Sequence, residues 1–384
     1  MNKIWPFTLN FVLFAAMAFV MPFLVLYYQS LGFTGAQIGL LTGLAPLVTL
    51  VSAPFWTGLA DKLQRHRLIM SAVLMVGIAI LVVVPWFKDF IPILLLMILY
   101  SAFNAPVSSF IDSATMFMLA DQKELYGRIR LGGTLGFGIS AAVAGVFVQD
   151  NGLRYAFWGA ALLMAIALLV SQELVFGESK TGAAIKQGTH ILLADRRWRL
   201  FLILALAGGF ALAAANTYFF PYLKELGAAE STMGLALTLG TLSEIPVLFF
   251  GNRLLQRFKA YGLLVLAMTI TGIRLILSAA AQTPELVLLL QLLNGLTFPA
   301  MWIAGVAYAD QLAPAGMRAT AQGLFGAMVF GLGLAVGSFL GGLLLETWGG
   351  HALFLVFGVV VLIVVAGVAL AQARWSTAPR RSEA

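Results

Sequence analysis

The stretch Tyr27-Tyr28-Gln29-Ser30-Leu31-Gly32 returns as Tyr222-Leu223-Lys224-Glu225-Leu226-Gly227, about half of the 384-residue chain later. Two further matches follow in the same order: Pro54, Gln64 and Arg65 with Pro246, Gln256 and Arg257, and Asp121-Gln122 with Asp310-Gln311. Self-similarity at that spacing means one unit built twice. The unit is apolar. Hydrophobic residues make up 61% of the chain and charged residues 10%, with a mean hydropathy of +0.96. A soluble domain is about 45–50% apolar and about 25% charged, so lipid must solvate much of this surface. A hydrocarbon core of about 30 Å takes ~20 apolar residues per helix. The chain offers twelve such runs, near 6–28, 37–59, 68–87, 91–118, 129–149, 155–175, 198–223, 232–252, 261–281, 285–309, 320–345 and 351–373. They are long and unbroken, unlike the ~10-residue alternating segments of a membrane β-barrel. The first run has a repeat mate and exceeds the usual 7–15-residue core of a secretory signal, so it reads as a retained helix.

The expected fold is all-α and integral to the membrane. Residues 1–176 form one six-helix bundle, 177–197 a polar linker, and 198–384 a second bundle with a short tail. Six spans return the chain to its starting side, so the halves are parallel repeats about an axis along the membrane normal. The net charge of +7 reports topology. With the N-terminus inside, 19 of the 23 Lys and Arg fall on the cytoplasmic side, three (Lys88, Arg154, Lys224) fall opposite, and Arg274 lies within a span. That asymmetry follows the positive-inside rule and places both termini in the cytoplasm, with no nucleic-acid partner implied. Trp86, Trp348 and Trp375 stand near span ends as interfacial aromatics. There is no cysteine, and the three histidines form no metal-spaced cluster; no cofactor is expected. Phosphate loops and nucleophile elbows are also missing, which argues against a polytopic enzyme or an ATP-driven pump.

The segment Gly58-Leu59-Ala60-Asp61-Lys62-Leu63-Gln64-Arg65-His66-Arg67 resembles the loop between helices two and three of the major facilitator superfamily, with Thr57 where that family usually has glycine. A narrower resemblance, to the branch holding lactose permease, phenylpropionic acid permease and nucleoside symporters, covers nearly the whole chain. It rests on Phe103–Asp112, on Tyr126-Gly127-Arg128-Ile129-Arg130 and the residues to Phe137, on Ser243-Glu244-Ile245-Pro246, on Ile273–Ile276 and on Arg318-Ala319-Thr320-Ala321-Gln322-Gly323. The resemblance implies two bundles that rock about a central cavity. It departs from lactose permease where Ser108, Asn216, Asn294, Thr297 and Phe330 replace that protein's charged residues, so lactose itself is not implied; Arg130 and Arg274 persist.

Charges within spans cost roughly 2.5–3.5 kcal/mol each on insertion scales, which singles out Asp112, Glu244 and Arg274. Glu244 is the first choice for proton coupling, with Asp112 second; the alternative for Glu244 is a fixed ion pair or hydrogen bond. By resemblance Asp112 lies near Arg130, either as an internal pair or leaving the arginine to an anionic substrate. Arg274 would face Glu244 or a substrate carboxylate. Asn104, Asn216, Asn294 and Trp302, with Gln29, Tyr218, Gln291 and Gln322, are further candidates to touch substrate or neighbouring helices. Asp61, Lys62, Arg65, Asp121, Arg128, Asp310 and Arg318 are expected to gate the cytoplasmic side. Small residues at four-residue spacing (Gly132, Gly136, Ser140, Ala144; Gly333, Gly337, Gly341; Gly39, Gly43) read as seams between the halves. Span five lacks the Gly-Pro motif of drug antiporters in the superfamily. The expectation is therefore a monomeric, proton-coupled importer of a small organic solute in a bacterial inner membrane. A carboxylate is favoured, then a sugar or nucleoside; a proton-driven drug or metabolite exporter and a non-transporting receptor are the alternatives.

Overall fold

The computed structural model describes residues 4–120, 122, 125–177, 189–314 and 317–376. Every regular element among them is helical. The first half contains α1 (Ile4–Val20), which passes through a 3-10 turn at Met21–Phe23 into α2 (Leu24–Ser30), then α3 (Gly35–Leu63), α4 (His66–Val83), α5 (Phe90–Asn104), α6 (Val107–Leu119), α7 (Tyr126–Asn151) and α8 (Arg154–Ser171). A short α9 (Thr189–Ala194) precedes the second half. There α10 (Arg196–Leu212) runs through a π-helical Ala213–Thr217 towards α11 (Phe219–Glu225), followed by the long α12 (Glu230–Ala280). Next come α13 (Pro284–Leu290), a 3-10 stretch at Gln291–Leu296, and α14 (Phe298–Leu312). The chain ends with α15 (Arg318–Gly326), a π-helical Ala327–Gly333, and α16 (Leu334–Ser376). Residues 178–188, within the expected linker, and Asp121 lie outside the described residues.

Ten helical stretches are long and apolar enough to cross a bilayer, and two of them, of 51 and 54 residues, are about double length. Each of the two has one residue of non-helical backbone inside it, Lys259 (φ 58°) and Gly349 (φ 77°). The left-handed φ at these positions turns the chain between two helices with no intervening loop. Gln64, which ends α3, has the same sign of φ, 53°. It occupies the corresponding corner of the first half.

Besides the π-helical Ala327–Gly333, four spans are interrupted rather than continuous, and these four interruptions occupy mate positions: Met21–Phe23 and Ala213–Thr217, then Ala105–Pro106 and Gln291–Leu296. Pro22, Pro106, Pro221 and Pro299 stand in or beside them. A proline removes one backbone donor and clashes with the carbonyl four residues back, which opens the helix where the halves must expose polar backbone. Interrupted helices near the bilayer midplane are where carriers of this architecture place their sites.

The halves meet along two pairs of helices, α3 with α16 and α7 with α12. Gly39 lies against Phe339, where a Cβ would come within 2.8 Å of the carbonyl oxygen, and Gly145 lies against Glu230, at 2.5 Å from its carbonyl. The expected seam at Gly39 and Gly43 is thus present. The stripes on spans five and eleven serve another contact. Gly132 and Gly136 face Phe7 and Phe11 of α1, while Gly333 and Gly337 face Leu206 and Phe210 of α10, all within their own half. The close approach that small residues permit holds each bundle together. The neighbouring helix face, at Gly138, Gly145 and Gly342, meets the other half.

Two hydrogen bonds across the seams are repeat mates. The N–H of Gly35, at the start of α3, donates to Glu346 Oε2 at 2.8 Å. The N–H of Ser231, at the start of α12, donates to Gln149 Oε1 at 3.2 Å. Each supplies a partner to a donor that a helix start leaves unsatisfied, and each cap comes from the opposite half. Phe23 and Phe220 add a ring contact at 4.9 Å between centroids. These contacts lie at the end carrying the 31–34 and 226–229 turns. Towards the other end, which carries Lys62, Arg65, Arg128 and Arg253, the same helices present exposed apolar side chains, including Val51 (73%) and Phe249 (80%).

Candidate functional site

Helical winding assembles the second-half cluster. In a 3-10 helix side chains three residues apart eclipse one another. The stretch Gln291–Leu296 therefore lines up Gln291, Asn294 and Thr297 on one side. A regular α-helix would turn the last of these about 120° from the first. All three accept from Arg274. Nη1 donates to Asn294 Oδ1 at 2.7 Å and to Thr297 Oγ1 at 3.1 Å, and Nη2 donates to Gln291 Oε1 at 2.7 Å. The arginine is only 8% exposed; hydrogen bonds from a charged donor of this kind are worth about 1.5–3 kcal/mol each.

Glu244 completes the cluster from α12. It accepts from Asn294 Nδ2 at 2.8 Å. One amide thus spans cation and carboxylate, its oxygen towards Arg274 and its nitrogen towards Glu244. Ser243 closes the backbone gap left by the break: its Oγ accepts from Gly295 N–H at 3.0 Å and donates to the Gly240 carbonyl at 2.6 Å. Gly240 must be small here, since a Cβ would meet Gln291 Oε1 at 3.1 Å. Glu244 also stands one turn beyond Thr241, whose methyl would meet a Cβ on Gly138 of the other half at 3.1 Å. The carboxylate is therefore set just past the contact between halves.

The first half relates its charges through a tyrosine rather than an amide. Asp112 on α6 accepts from the Tyr126 hydroxyl at 2.9 Å. Arg130 lies over the ring of Phe14, with Cζ 4.4 Å from the centroid. The ion pairs among the described residues are His66–Asp61, Lys224–Glu230 and Arg318–Asp310. Asp112 and Arg130 thus make no direct ion pair; Tyr126 stands between them, bonding Asp112 and interacting with Arg130, which also lies on Phe14. Asn104 is half-buried at the Ala105–Pro106 break, and Asn216 is exposed in the π-helical segment. Trp302 packs among Phe298, Phe325 and Phe330 with centroids 6.2, 5.1 and 5.1 Å away, and Phe330 is itself exposed. These rings form an aromatic wall beginning one residue after Thr297.

Of the expected gating residues, Asp61 bonds His66 at 2.8 Å and Asp310 pairs with Arg318 at 3.3 Å, each inside its own half. Lys62, Arg65 and Arg128 are exposed. The cross-seam caps Glu346 and Gln149 were not foreseen, nor were Tyr126 and Phe14 as partners. Glu346 and Gln149 sit at the ends of repeat-mate spans, a register that carries a signal only once the mates are aligned.

The chain matches the model of the MFS_1 like family over residues 7–376. It is 29% identical to maltose permease of Geobacillus stearothermophilus, across 96% of this chain and 94% of that one. It is 25% identical to xanthosine permease of Escherichia coli, across 83% and 81%, and 23% identical to the probable 3-phenylpropionic acid transporter of the same organism, across 92% and 93%. Its fold superimposes on the crystal structure of nucleoside transporter NupG with a TM-score of 0.87 at 18% identity, covering 96% of this chain and 99% of that one. A paired-bundle membrane fold, interrupted helices with polar side chains at the breaks, and a family match over almost the whole length agree: this chain belongs to the MFS_1 like family and is a multi-pass major facilitator transporter of small solutes.

Proposed function

We propose that the protein is a proton-coupled importer that alternates access by rocking residues 1–176 against 198–384, joined by the 177–197 linker, with twelve spans once the helices meeting at Lys259 and Gly349 are counted separately. The unit is a monomer in a bacterial inner membrane. The lysine and arginine distribution supports cytoplasmic termini, and with that orientation the packed seams close the outer side.

The observation that carries this reading is the Glu244–Asn294–Arg274 chain. An ionised Glu244 and a charged Arg274 polarise Asn294 in the same direction, so the two bonds strengthen each other. A proton on Glu244 removes the charge that Asn294 Nδ2 faces and loosens the hold on α12 just where the halves part. Loading and release of that proton then accompany the change of state, with Asp112 as a second titrating group. Asp61, Lys62, Arg65, Arg128, Asp310 and Arg318, together with Asp121, are the charges available to gate the cytoplasmic side.

For the substrate, the geometry favours a neutral ring-bearing solute, a saccharide or nucleoside, over a carboxylate. Gln291, Asn294 and Thr297 already occupy the Arg274 fork, while Trp302 and Phe330 offer a stacking wall and Asn104, Asn216 and Arg130 supply polar contacts. The permeases for maltose and xanthosine among its relatives support the same order. Purified protein in liposomes with an imposed proton gradient tests both claims against maltose, xanthosine and 3-phenylpropionate. Uptake above equilibrium of one of the first two is expected. Glu244→Gln is expected to abolish accumulation while preserving exchange of labelled for unlabelled solute. Accumulation by that variant overturns the coupling role, and selective uptake of 3-phenylpropionate overturns the substrate order.

A further inference from the structure

On the outside of the first half, away from both seams, a groove of about 1140 Å³ opens between the start of α4 and the end of α8. It is graded along its length. Arg65 and Arg67 stand at its basic end, both exposed. Arg67 uses one nitrogen to donate to the Leu174 carbonyl at 2.6 Å, which fixes the side chain and leaves most of its fork open. His66 between them is committed elsewhere: it bonds Asp61 and stacks on Phe176 at 5.5 Å. Among the described residues no carboxylate lines the groove. Below the arginines, Gln172 Nε2 donates to Ser71 Oγ at 2.9 Å, a neutral polar band. Leu68 stands beside Arg67, and past the polar band Ala72 and Met75 continue the α4 face as an apolar floor, with Leu68 57% and Met75 54% exposed.

Cationic head, polar waist and apolar floor follow one another as the phosphate, glycerol ester and acyl chain do in a phospholipid. We infer that this groove is a binding site for an anionic phospholipid, its phosphate on Arg65 and Arg67, its glycerol passing Leu68 to an ester region beside Ser71 and Gln172, and one acyl chain along Ala72 and Met75. A guanidinium fork suits phosphate geometry, and basic pockets between membrane helices take up anionic headgroups. Free phosphate would leave the apolar floor uncovered. The chain that follows Gly177 carries Lys180 and Lys186 against a single acid, Glu178, so it does not complement the arginines.

The test measures binding of phosphatidylglycerol and phosphatidylcholine to purified protein by native mass spectrometry, with thermal unfolding in parallel. At about a factor of five per arginine near the surface, Arg65→Gln with Arg67→Gln is expected to weaken phosphatidylglycerol binding roughly thirtyfold. Phosphatidylcholine binding and the unfolding temperature in phosphatidylcholine should not change. Leu68→Gln with Met75→Gln, which keeps both arginines, is expected to weaken both lipids and serves if the first variant does not fold. A photo-crosslinker at Met75 should capture phosphatidylglycerol. Equal affinity for the two lipids, an unchanged preference in the arginine variant, equal protection by inorganic phosphate, or crosslinking to residues 178–188 would each overturn the site.

Discussion

In the second half Glu244 and Arg274 share one amide, Asn294. In the first half Asp112 and Arg130 form no direct ion pair: Asp112 accepts from the Tyr126 hydroxyl, which also lies within reach of Arg130, and Arg130 rests on the ring of Phe14. Both halves start from an interrupted span with a proline. The difference lies in how each interruption is wound. The first is a short kink at Ala105–Pro106, with the half-buried Asn104 beside it. The second is a six-residue 3-10 helix whose three-residue period stacks three acceptors against one arginine. A repeat built twice has thus yielded a buried arginine with three acceptors on one side and a looser arrangement around Tyr126 on the other. We propose that coupling rests mainly on the second-half cluster, and that the first half adds adaptable solute contacts opposite the Trp302 and Phe330 wall.

The sharpest way to break that contrast is to remove the arginine. Arg274→Leu leaves Gln291, Asn294 and Thr297 without their donor, and opening a buried ionic network costs about 3–5 kcal/mol. Thermal unfolding in detergent should show a fall of that size, with no accumulation of solute in liposomes. Stability near wild type would mean the cluster is not a unit. Asn294→Leu comes next. Its expected cost is about 2–3 kcal/mol, because a half-buried carboxylate and a buried guanidinium each lose a partner. A double-mutant cycle with Glu244→Gln should show coupling, and strict additivity would cut Asn294 out of the chain.

In the first half the effects should be smaller and of another kind. Tyr126→Phe removes a hydrogen bond to a half-buried carboxylate, worth about 1.5 kcal/mol. Half-saturation for solute is expected to rise roughly fivefold, with unfolding temperature little changed; a large loss of stability and no change in half-saturation would make the first half as rigid as the second. The smallest effects belong to the two cross-seam caps. The chain has no cysteine, so single cysteines introduced along α7 report accessibility directly. Glu346→Ala should raise labelling from the turn end by a few-fold, since a charged acceptor at a helix start is worth about 0.5–2 kcal/mol. Gln149→Ala should do so by less, its bond being neutral and longer. Equal effects would show that charge adds nothing to the seam.

Much of the fold was legible in the amino acids. Period, hydropathy and the half-length repeat placed the spans, and each apolar run has a helix over it because lipid leaves the backbone no other partner. The three intramembrane charges were legible for the same reason: a charge in lipid is expensive enough to stand out. Who pairs with whom was not. Nothing in the spacing of Glu244 and Arg274 reveals that Asn294 stands between them, and the Asp112–Arg130 pair was the natural reading of two opposite charges on adjacent helices. The glycine stripes were found as close-packing faces, but a stripe does not name its partner, and here it meets α1 and α10 rather than the other half.

The sequence by itself determined the solvent, the helical class, the twofold construction and the residues too costly to be idle, because each of these is a sum or a period along one chain. Tertiary structure decided the winding of the interrupted spans, the acceptors that fill the Arg274 fork and the side chains that cap helices across the seams. Those depend on distances of about 3 Å between residues far apart in the chain, set by how prolines and glycines let helices bend and approach, and no one-dimensional pattern carries them.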